Sequence, residues 1–373
     1  MSSKEILTTL KEIALNPKKQ KERYLAEGKK IVLTAPVYTP EEIIHAMDLV
    51  PMGAWGADLE LKESKVYFPA FICSIVQSIV ELGIKGTYEG VSAIVVPSLC
   101  DSLKVLGENW KYAVPSIPFI PMTYPQNRRE SYGIAYTCAG YERVIADLER
   151  TTGNTFSEEK LVKTIAIYNE HNRVMRELSS ALADHPEVSA TDRSAVFKSA
   201  YFMLKEEHTA LVKKLVEALK QETPAKEKTR IMTTGILADS ASFLQILDKN
   251  GMHIVDDDIA AESRQYRIDT KQGEAPLLRL AEKFGEMGHC SVLYDADKKR
   301  IARIVQRAKE YDVKGIILVL TKFCDPEEFD YPLMKKACEQ AEIPLLLVEV
   351  DRQMVDYAQA ETMIETFSAM MAG

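Results

Sequence analysis

The chain carries six cysteines, and their positions sort them into two groups. Cys73 follows Phe68-Pro-Ala-Phe-Ile and opens a helical stretch, where free N–H groups and the helix dipole favour a thiolate. Cys100 and Cys324 each close an apolar, β-branched run and precede an aspartate, Asp101 and Asp325. Three thiolates supplied by two strand-end loops and one helix start could ligate three irons of a [4Fe–4S] cluster, leaving the fourth iron as an open Lewis acid. Spacing alone leaves a second reading open, that of small buried hydrophobes, because the tight C-x-x-C runs of ferredoxins are missing. The other three read as core residues: Cys138 in Gly133-Ile-Ala-Tyr-Thr-Cys138, Cys290 before Ser-Val-Leu in a strand, and Cys338 inside a helix.

Other chemistries find little support. There is no G-x-x-x-x-G-K-[ST] loop and no G-x-G-x-x-G after a strand to cradle a nucleotide. Glu206-Glu207-His208 lacks the second histidine of a zinc helix and is expected on a solvated face. No G-x-S-x-G elbow occurs, and Gly235 and Gly251 are expected in plain turns. His171, in Tyr168-Asn-Glu-His-Asn-Arg173, reads as a packed or solvated helix residue, and Trp55 and Trp110 as lobe-edge or interface aromatics.

The elements that would position these residues follow from composition and pattern. At 373 residues, 46% hydrophobic and 27% charged, the chain is a soluble protein with a sizeable core and room for more than one domain. Six cysteines over this length are too sparse for a disulfide framework and suit a reducing cytoplasm. A net charge of −8 argues against binding nucleic acid by covering many phosphates. The start, MSSKEILTTLKEIALNPKKQ, has no continuous apolar core, so export is not expected; apolar runs such as Ile316 to Leu320 fall far short of the roughly 20 residues that span a bilayer.

Strand and helix signals alternate through most of the chain, giving an α/β fold of two Rossmann-like lobes with parallel sheets. Residues 1–30 read as an N-terminal helical segment, with Ile6, Leu7, Leu10 and Ile13 on one stripe before a basic turn region. Residues 31–156 form the first α/β lobe, with strands at Lys30 to Ala35, Val91 to Val96 and Pro118 to Met122, and helices from Thr39-Pro40 to about Leu49 and from Cys73 to Leu82. Residues 157–224 are a helical insert, and 225–373 a second α/β lobe with strands at Arg230 to Thr234, Gly251 to Asp256, Val313 to Leu320 and Ile343 to Val350, and helices at Ala241 to Leu247 and Tyr331 to Gln340. A weak internal repeat relates the lobes: Tyr88 to Asp101 and Tyr311 to Asp325 both run from an aromatic-acidic turn through a buried strand to Cys-Asp. Loops past the carboxyl ends of parallel strands are where such folds bind ligands.

Phe68-Pro-Ala-Phe-Ile-Cys73-Ser, Val-Pro-Ser-Leu-Cys100-Asp-Ser-Leu and Thr-Lys-Phe-Cys324-Asp-Pro-Glu-Glu-Phe-Asp-Tyr-Pro lead to a resemblance. With Thr39-Pro-Glu-Glu-Ile-Ile, Pro125-Gln-Asn-Arg, Gly235-Ile-Leu-Ala-Asp-Ser and Ile343-Pro-Leu-Leu-Leu-Val-Glu, the chain resembles the 2-hydroxyacyl-CoA dehydratase family over nearly its whole length. It looks most like the beta subunits of the heterodimeric 2-hydroxyisocaproyl-CoA and lactoyl-CoA dehydratases, with benzoyl-CoA reductase subunits as more distant relatives. One departure is Met363, where relatives often carry arginine.

The resemblance implies a [4Fe–4S] cluster with Cys73, Cys100 and Cys324 as ligands and one non-protein ligand. It implies conversion of an (R)-2-hydroxyacyl-CoA to the 2-enoyl-CoA through a ketyl radical. The electron comes from a separate ATP-hydrolysing iron–sulfur activator, and the partner is an alpha subunit that holds the substrate. The beta cluster would relay or store the electron, and Asp101 and Asp325 would support their neighbouring ligands or cap helices. Arg264 and Arg267 around Tyr266, and the pair Arg128-Arg129, would meet a CoA phosphate, the partner, or carboxylates of a salt-bridged loop. The competing expectations are a benzoyl-CoA reductase-type subunit and an iron-free, two-lobed module that binds small acids.

Overall fold

The computed structural model describes residues 2–372. Helix α1 (Ser3–Leu15) starts at a capping box in which Ser2 and Glu5 satisfy each other's backbone amides. Helix α2 (Pro17–Ala26) occupies the expected basic turn: Pro17 at N1 has its φ preset and lacks an amide the helix would leave unpaired, and the lysines that follow are good helix formers. The first lobe then runs β1 (Ile31–Thr34), α3 (Glu41–Ala46), β2 (Val50–Gly53), α4 (Ser74–Ile84), β3 (Ala93–Pro97), α5 (Asp101–Ala113) and β4 (Phe119–Met122). Strand β2 was hidden in the sequence by its Pro51 and Gly53; it is tolerated because it pairs on one side only, with β1, at the sheet edge.

Four helices follow: α6 (Ser131–Thr152), α7 (Glu158–Ala183), α8 (Ala190–Ser199) and α9 (Lys205–Gln221). Ile6, Leu7 and Leu10 of α1 share an apolar cluster with Leu178, Phe197 and Leu215, so α1, α7, α8 and α9 form one helical layer. The second lobe contains β5 (Thr229–Gly235), α10 (Ala241–Lys249), β6 (Met252–Ile259), α11 (Pro276–Glu286), α12 (Lys299–Glu310), β7 (Gly315–Thr321), α13 (Asp325–Gln340), β8 (Leu345–Val350) and α14 (Ala358–Ala372). Helix α13 begins at Asp325 rather than Tyr331, because Pro326 suits its first turn and Asp325, Glu327 and Glu328 oppose the dipole there.

Both sheets are parallel and share one pattern, β2-β1-β3-β4 and β6-β5-β7-β8. Every residue of β1, β2, β3, β6 and β7 is buried, as expected where helices cover both faces. In each sheet the order reverses beside the third strand, and the loops leaving β3 and β7 carry Cys100 and Cys324. Each cysteine stands three residues beyond the last strand residue.

One excursion of the second half closes the lobes on each other. Helix α11 packs into the core of the first lobe, with Phe284 stacked on Tyr124 at 3.9 Å and Lys283 paired with Glu42 at 2.7 Å. The strand expected at Cys290 is instead a turn in which the Leu293 amide donates to the Cys290 carbonyl, since the chain reverses there from α11 toward α12. Trp110 lies in the interior rather than at a lobe edge, fully buried, its indole N–H donating to the Ile117 carbonyl at 2.9 Å. Gly235 is no plain turn either. It ends β5 at φ +145°, and a Cβ there would lie 2.3 Å from the Val319 carbonyl oxygen of β7. Gly251, at φ +64°, turns in open space. Gly235→Ala is therefore expected to cost at least about 2 kcal/mol and Gly251→Ala about 1 kcal/mol in chemical denaturation; equal losses would contradict the close approach of β5 and β7.

Candidate metal centre

The three sequence-selected cysteines each occupy the N-cap of a helix: Cys73 of α4, Cys100 of α5 and Cys324 of α13. Cys73 and Cys324 are buried members of one apolar cluster that also contains β3 and β7, and Cys100 packs against it. The fold thus gathers three cysteines that are 27 to 251 positions apart in the sequence. The other three fall in different apolar clusters. Cys290 lies in the cluster around α11, Cys138 packs against that cluster from α6, and Cys338 belongs to a third cluster under α12 and α13.

Electrostatics link the gathered thiols. Burial pushes the Cys73 thiol up to about 12, opposed by the Ile75 and Val76 amides and reinforced by Cys100. Burial likewise raises Cys324, with Cys73 and Cys100 adding to the shift, and it raises Cys100 against the amides of Leu103 and Ser102. Without a cation the site therefore favours three neutral thiols; a metal would take the place of their protons. Three helix N-termini face the sulfurs and suit a net negative charge. Among the described residues no three His, Cys, Asp or Glu side chains converge closely enough to hold a single metal ion. A cubane cluster makes no such demand, since each cysteine binds a different iron, so the donor set of three dispersed thiols fits a cluster better than a mononuclear site. Asp101 is a first-turn acid, 84% exposed and paired with Lys104 at 2.9 Å, a geometry that serves the helix rather than a base.

Arg352, just past the end of β8, is the site residue that sequence reasoning missed. It is buried, pairs with Asp58 and with Asp239, each at 2.8 Å, and donates to the Trp55 carbonyl at 3.2 Å. Its amide donates to Ser74 Oγ at 3.1 Å, beside Cys73, so one residue of the second lobe clasps the start of α4 in the first. The strand-end rule that flagged Cys100 and Cys324 would have found it if applied to the fourth strand.

The remaining candidates divide. Arg264 is fully buried among Asp258, Glu327 and Ser291, and Arg128 is buried with its guanidinium on the Met287 and Tyr294 carbonyls; both are structural. His208 is not solvated but wholly buried, because α9 turns that face onto α7 and α8. Its Nε2 lies 3.0 Å from the Val196 carbonyl, which can only accept, so Nδ1 is left to accept from His171 Nε2 at 3.0 Å. Burial drives the His208 pKa down to about 3. Trp55 is buried, against Tyr201 at the junction of the lobes.

Burial alone would raise the Asp239 carboxyl, but Arg352 and Lys198 outweigh it and hold it well below the usual carboxylate range. A carboxyl depressed in this way stabilises the fold above its unfolded value near 4, and the contribution is lost as pH falls below that. Arg352→Met should lower stability at pH 7 by about 2–3 kcal/mol, and unfolding free energy should then fall less steeply between pH 5 and pH 3 than in the parent chain.

Residues 36–371 match the family model described as 2-hydroxyglutaryl-CoA dehydratase, D-component. The chain is 45% identical over 370 residues to the (R)-phenyllactyl-CoA dehydratase beta subunit of Clostridium sporogenes, covering 98% of this chain and 99% of the relative. It is 41% identical over 372 residues to the lactoyl-CoA dehydratase subunit beta of Anaerotignum propionicum, covering 98% of each. To the (R)-2-hydroxyglutaryl-CoA dehydratase subunit beta of Acidaminococcus fermentans it is 32% identical over 376 residues, covering 99% of each.

Proposed function

The chain belongs to the 2-hydroxyglutaryl-CoA dehydratase, D-component, family, and on that premise we propose that it is the beta subunit of a heterodimeric hydro-lyase. The enzyme converts an (R)-2-hydroxyacyl-CoA to the 2-enoyl-CoA. Cys73, Cys100 and Cys324 hold a [4Fe–4S] cluster whose fourth iron has a non-protein ligand. When bound, the cluster supplies one-electron storage or relay, with a separate ATP-hydrolysing iron–sulfur protein as the donor. The sequence has no phosphate loop of its own, in keeping with such a division. The observation that carries the reading is that two helix-capping cysteines, Cys73 and Cys324, share one apolar cluster with the third, Cys100, packed against it, while the other three cysteines belong to different clusters.

The chain's own residues prepare the site in three ways. Helices α4, α5 and α13 direct their N-termini at the thiolates and lower the cost of their charge. The apolar side chains that bury Cys73 and Cys324 and pack against Cys100 limit the access of water, which favours an oxygen-sensitive, reduced centre and suits a cytoplasmic, anaerobic setting. Arg352 keeps the lobes closed at Cys73.

The cavity beside the start of α4, lined by Ile75, Thr321 and Arg352, measures about 20 Å³, which supports an alpha subunit that holds most of the substrate; the cavity at the end of β1, under Tyr124 and Tyr201, measures about 90 Å³. Small-molecule sites usually enclose about 300–1,000 Å³. Phe71 and Phe329, which flank Cys73 and Cys324 in the sequence, are 69% and 74% exposed and present an apolar surface for that partner. No helix among the described residues is long and apolar enough to cross a membrane.

Anaerobic co-expression with the partner subunit tests the assignment. Replacing Cys73, Cys100 and Cys324 together with serine should remove this subunit's iron, acid-labile sulfide and brown absorbance and reduce dehydration to background. Cys138→Ser, Cys290→Ser and Cys338→Ser should each retain them. The reverse pattern would overturn the ligand set, and a parent subunit free of iron would overturn the cluster.

A further inference from the structure

Two arginine pairs left ambiguous by the sequence, Arg128-Arg129 and Arg264 with Arg267, have buried inner members whose roles are structural. Their outer members, Arg129 and Arg267, meet in one cleft. It lies between α7, the edge strand β6, the end of α11 and α12, on the far side of Tyr266 from the smaller cavity under Tyr124, and measures about 490 Å³. That is within the range of small-molecule sites.

Its charge is unbalanced. Arg176 is paired with Asp269 at 2.7 Å, Arg267 with Asp258 at 2.7 Å, and Arg307 with Asp256 at 2.8 Å. The other two carboxylates lining the cleft are also engaged, Asp257 by Arg193 and Glu286 by Lys271. Arg303 and Arg129 line the same cleft, and neither has a carboxylate within ion-pair distance among the described residues. Arg303 Nε is buried without a hydrogen-bond partner, as is Nδ1 of His289, which also lines the cleft. Burial together with the neighbouring charges of Arg267 and Arg307 pushes the Arg303 guanidinium down, and Asp258 and Asp256, each already paired with another arginine, offset this only in part. The Arg129 guanidinium lies against the backbone of Gly288, within 3.1 Å of where a Cβ would stand, so glycine leaves that arm room at the mouth.

We propose that this cleft binds the phosphate groups of a phosphorylated small molecule, with Arg303 and Arg129 as the arms that take the anion. Planar guanidinium groups match phosphate oxygens in paired hydrogen bonds. Arg267 and Arg307, anchored by their aspartates, are fixed walls that add field without needing to move. The site is separate from the cysteines, and its test does not depend on iron content or turnover.

Calorimetric titration of the heterodimeric complex at constant ionic strength, with inorganic pyrophosphate, ADP and CoA in turn, reads the site directly. Saturable binding is expected. Arg303→Gln should weaken it about tenfold or more, and Arg129→Gln, an exposed position, several-fold. Arg150→Gln, on the exposed side of α6, should leave it unchanged. CoA also meets the substrate site, so its arm counts only through the part removed by the two cleft substitutions. Equal binding of all three ligands assigns the cleft to a diphosphate alone; tenfold tighter binding of ADP or CoA assigns it to that molecule. If Arg303→Gln does not fold, Arg129→Gln decides. Absence of saturable binding, or binding that neither cleft substitution weakens, overturns the proposal.

Discussion

The arrangement depends on a buried set of ion pairs in the second lobe. Arg264 and Arg300 are almost wholly inaccessible and share Asp258 and Glu327, with Arg300 also reaching Asp330 and Thr234. Burial alone would raise the Asp258 carboxyl, but Arg264, Arg300 and Arg267 outweigh it and keep it ionised. Such a set adds little net stability over a well-packed apolar core, yet losing one member would leave an uncompensated charge and cost several kcal/mol. Its value here is geometric. Glu327 is in the first turn of α13, so the same bonds that join β6, α12 and the turn at Arg264 also locate the helix start where Cys324 stands.

The network reaches further through Arg264, which donates to Ser291 Oγ at 3.0 Å and to the Cys290 sulfur at 3.3 Å. Those residues follow α11, the helix that packs in the first-lobe core. The position of Cys324 is thereby coupled to the lobe that carries Cys73 and Cys100, and Arg352 makes a second, independent tie at Ser74. The two sheets share one strand order, and neither lobe by itself carries all three thiols, so the ties between the lobes bear on how the thiols meet.

Much of this was legible in the residues. The Tyr88 to Asp101 and Tyr311 to Asp325 repeat marked the third strand of each sheet, since a fully buried strand must be a continuous apolar run and the loop after it a place for polar or reactive groups. What escaped had mixed signals. Strand β2 contains proline and glycine; α2 begins with a proline and is rich in lysine; His208 and Trp110 each carry a ring N–H that suits a surface or an edge, but the folded chain finds each an internal hydrogen-bond partner. Arg352 looks like any charged loop residue until Asp58, Asp239 and Ser74 are seen around it.

The sequence by itself determined the alternating α/β pattern, the family, and that Cys73, Cys100 and Cys324 stand where elements begin or end, because periodicity, caps and strand-end loops are local properties of the chain. Only the tertiary structure decided that Cys73, Cys100 and Cys324 share one apolar environment, that α11 belongs to the first-lobe core, and that the arginines at 129, 267 and 303 line a common cleft. These are meetings of residues far apart in the chain. They depend on how two sheets are set against each other by buried charge, and burial and charge pairing are properties of the folded neighbourhood rather than of any residue type.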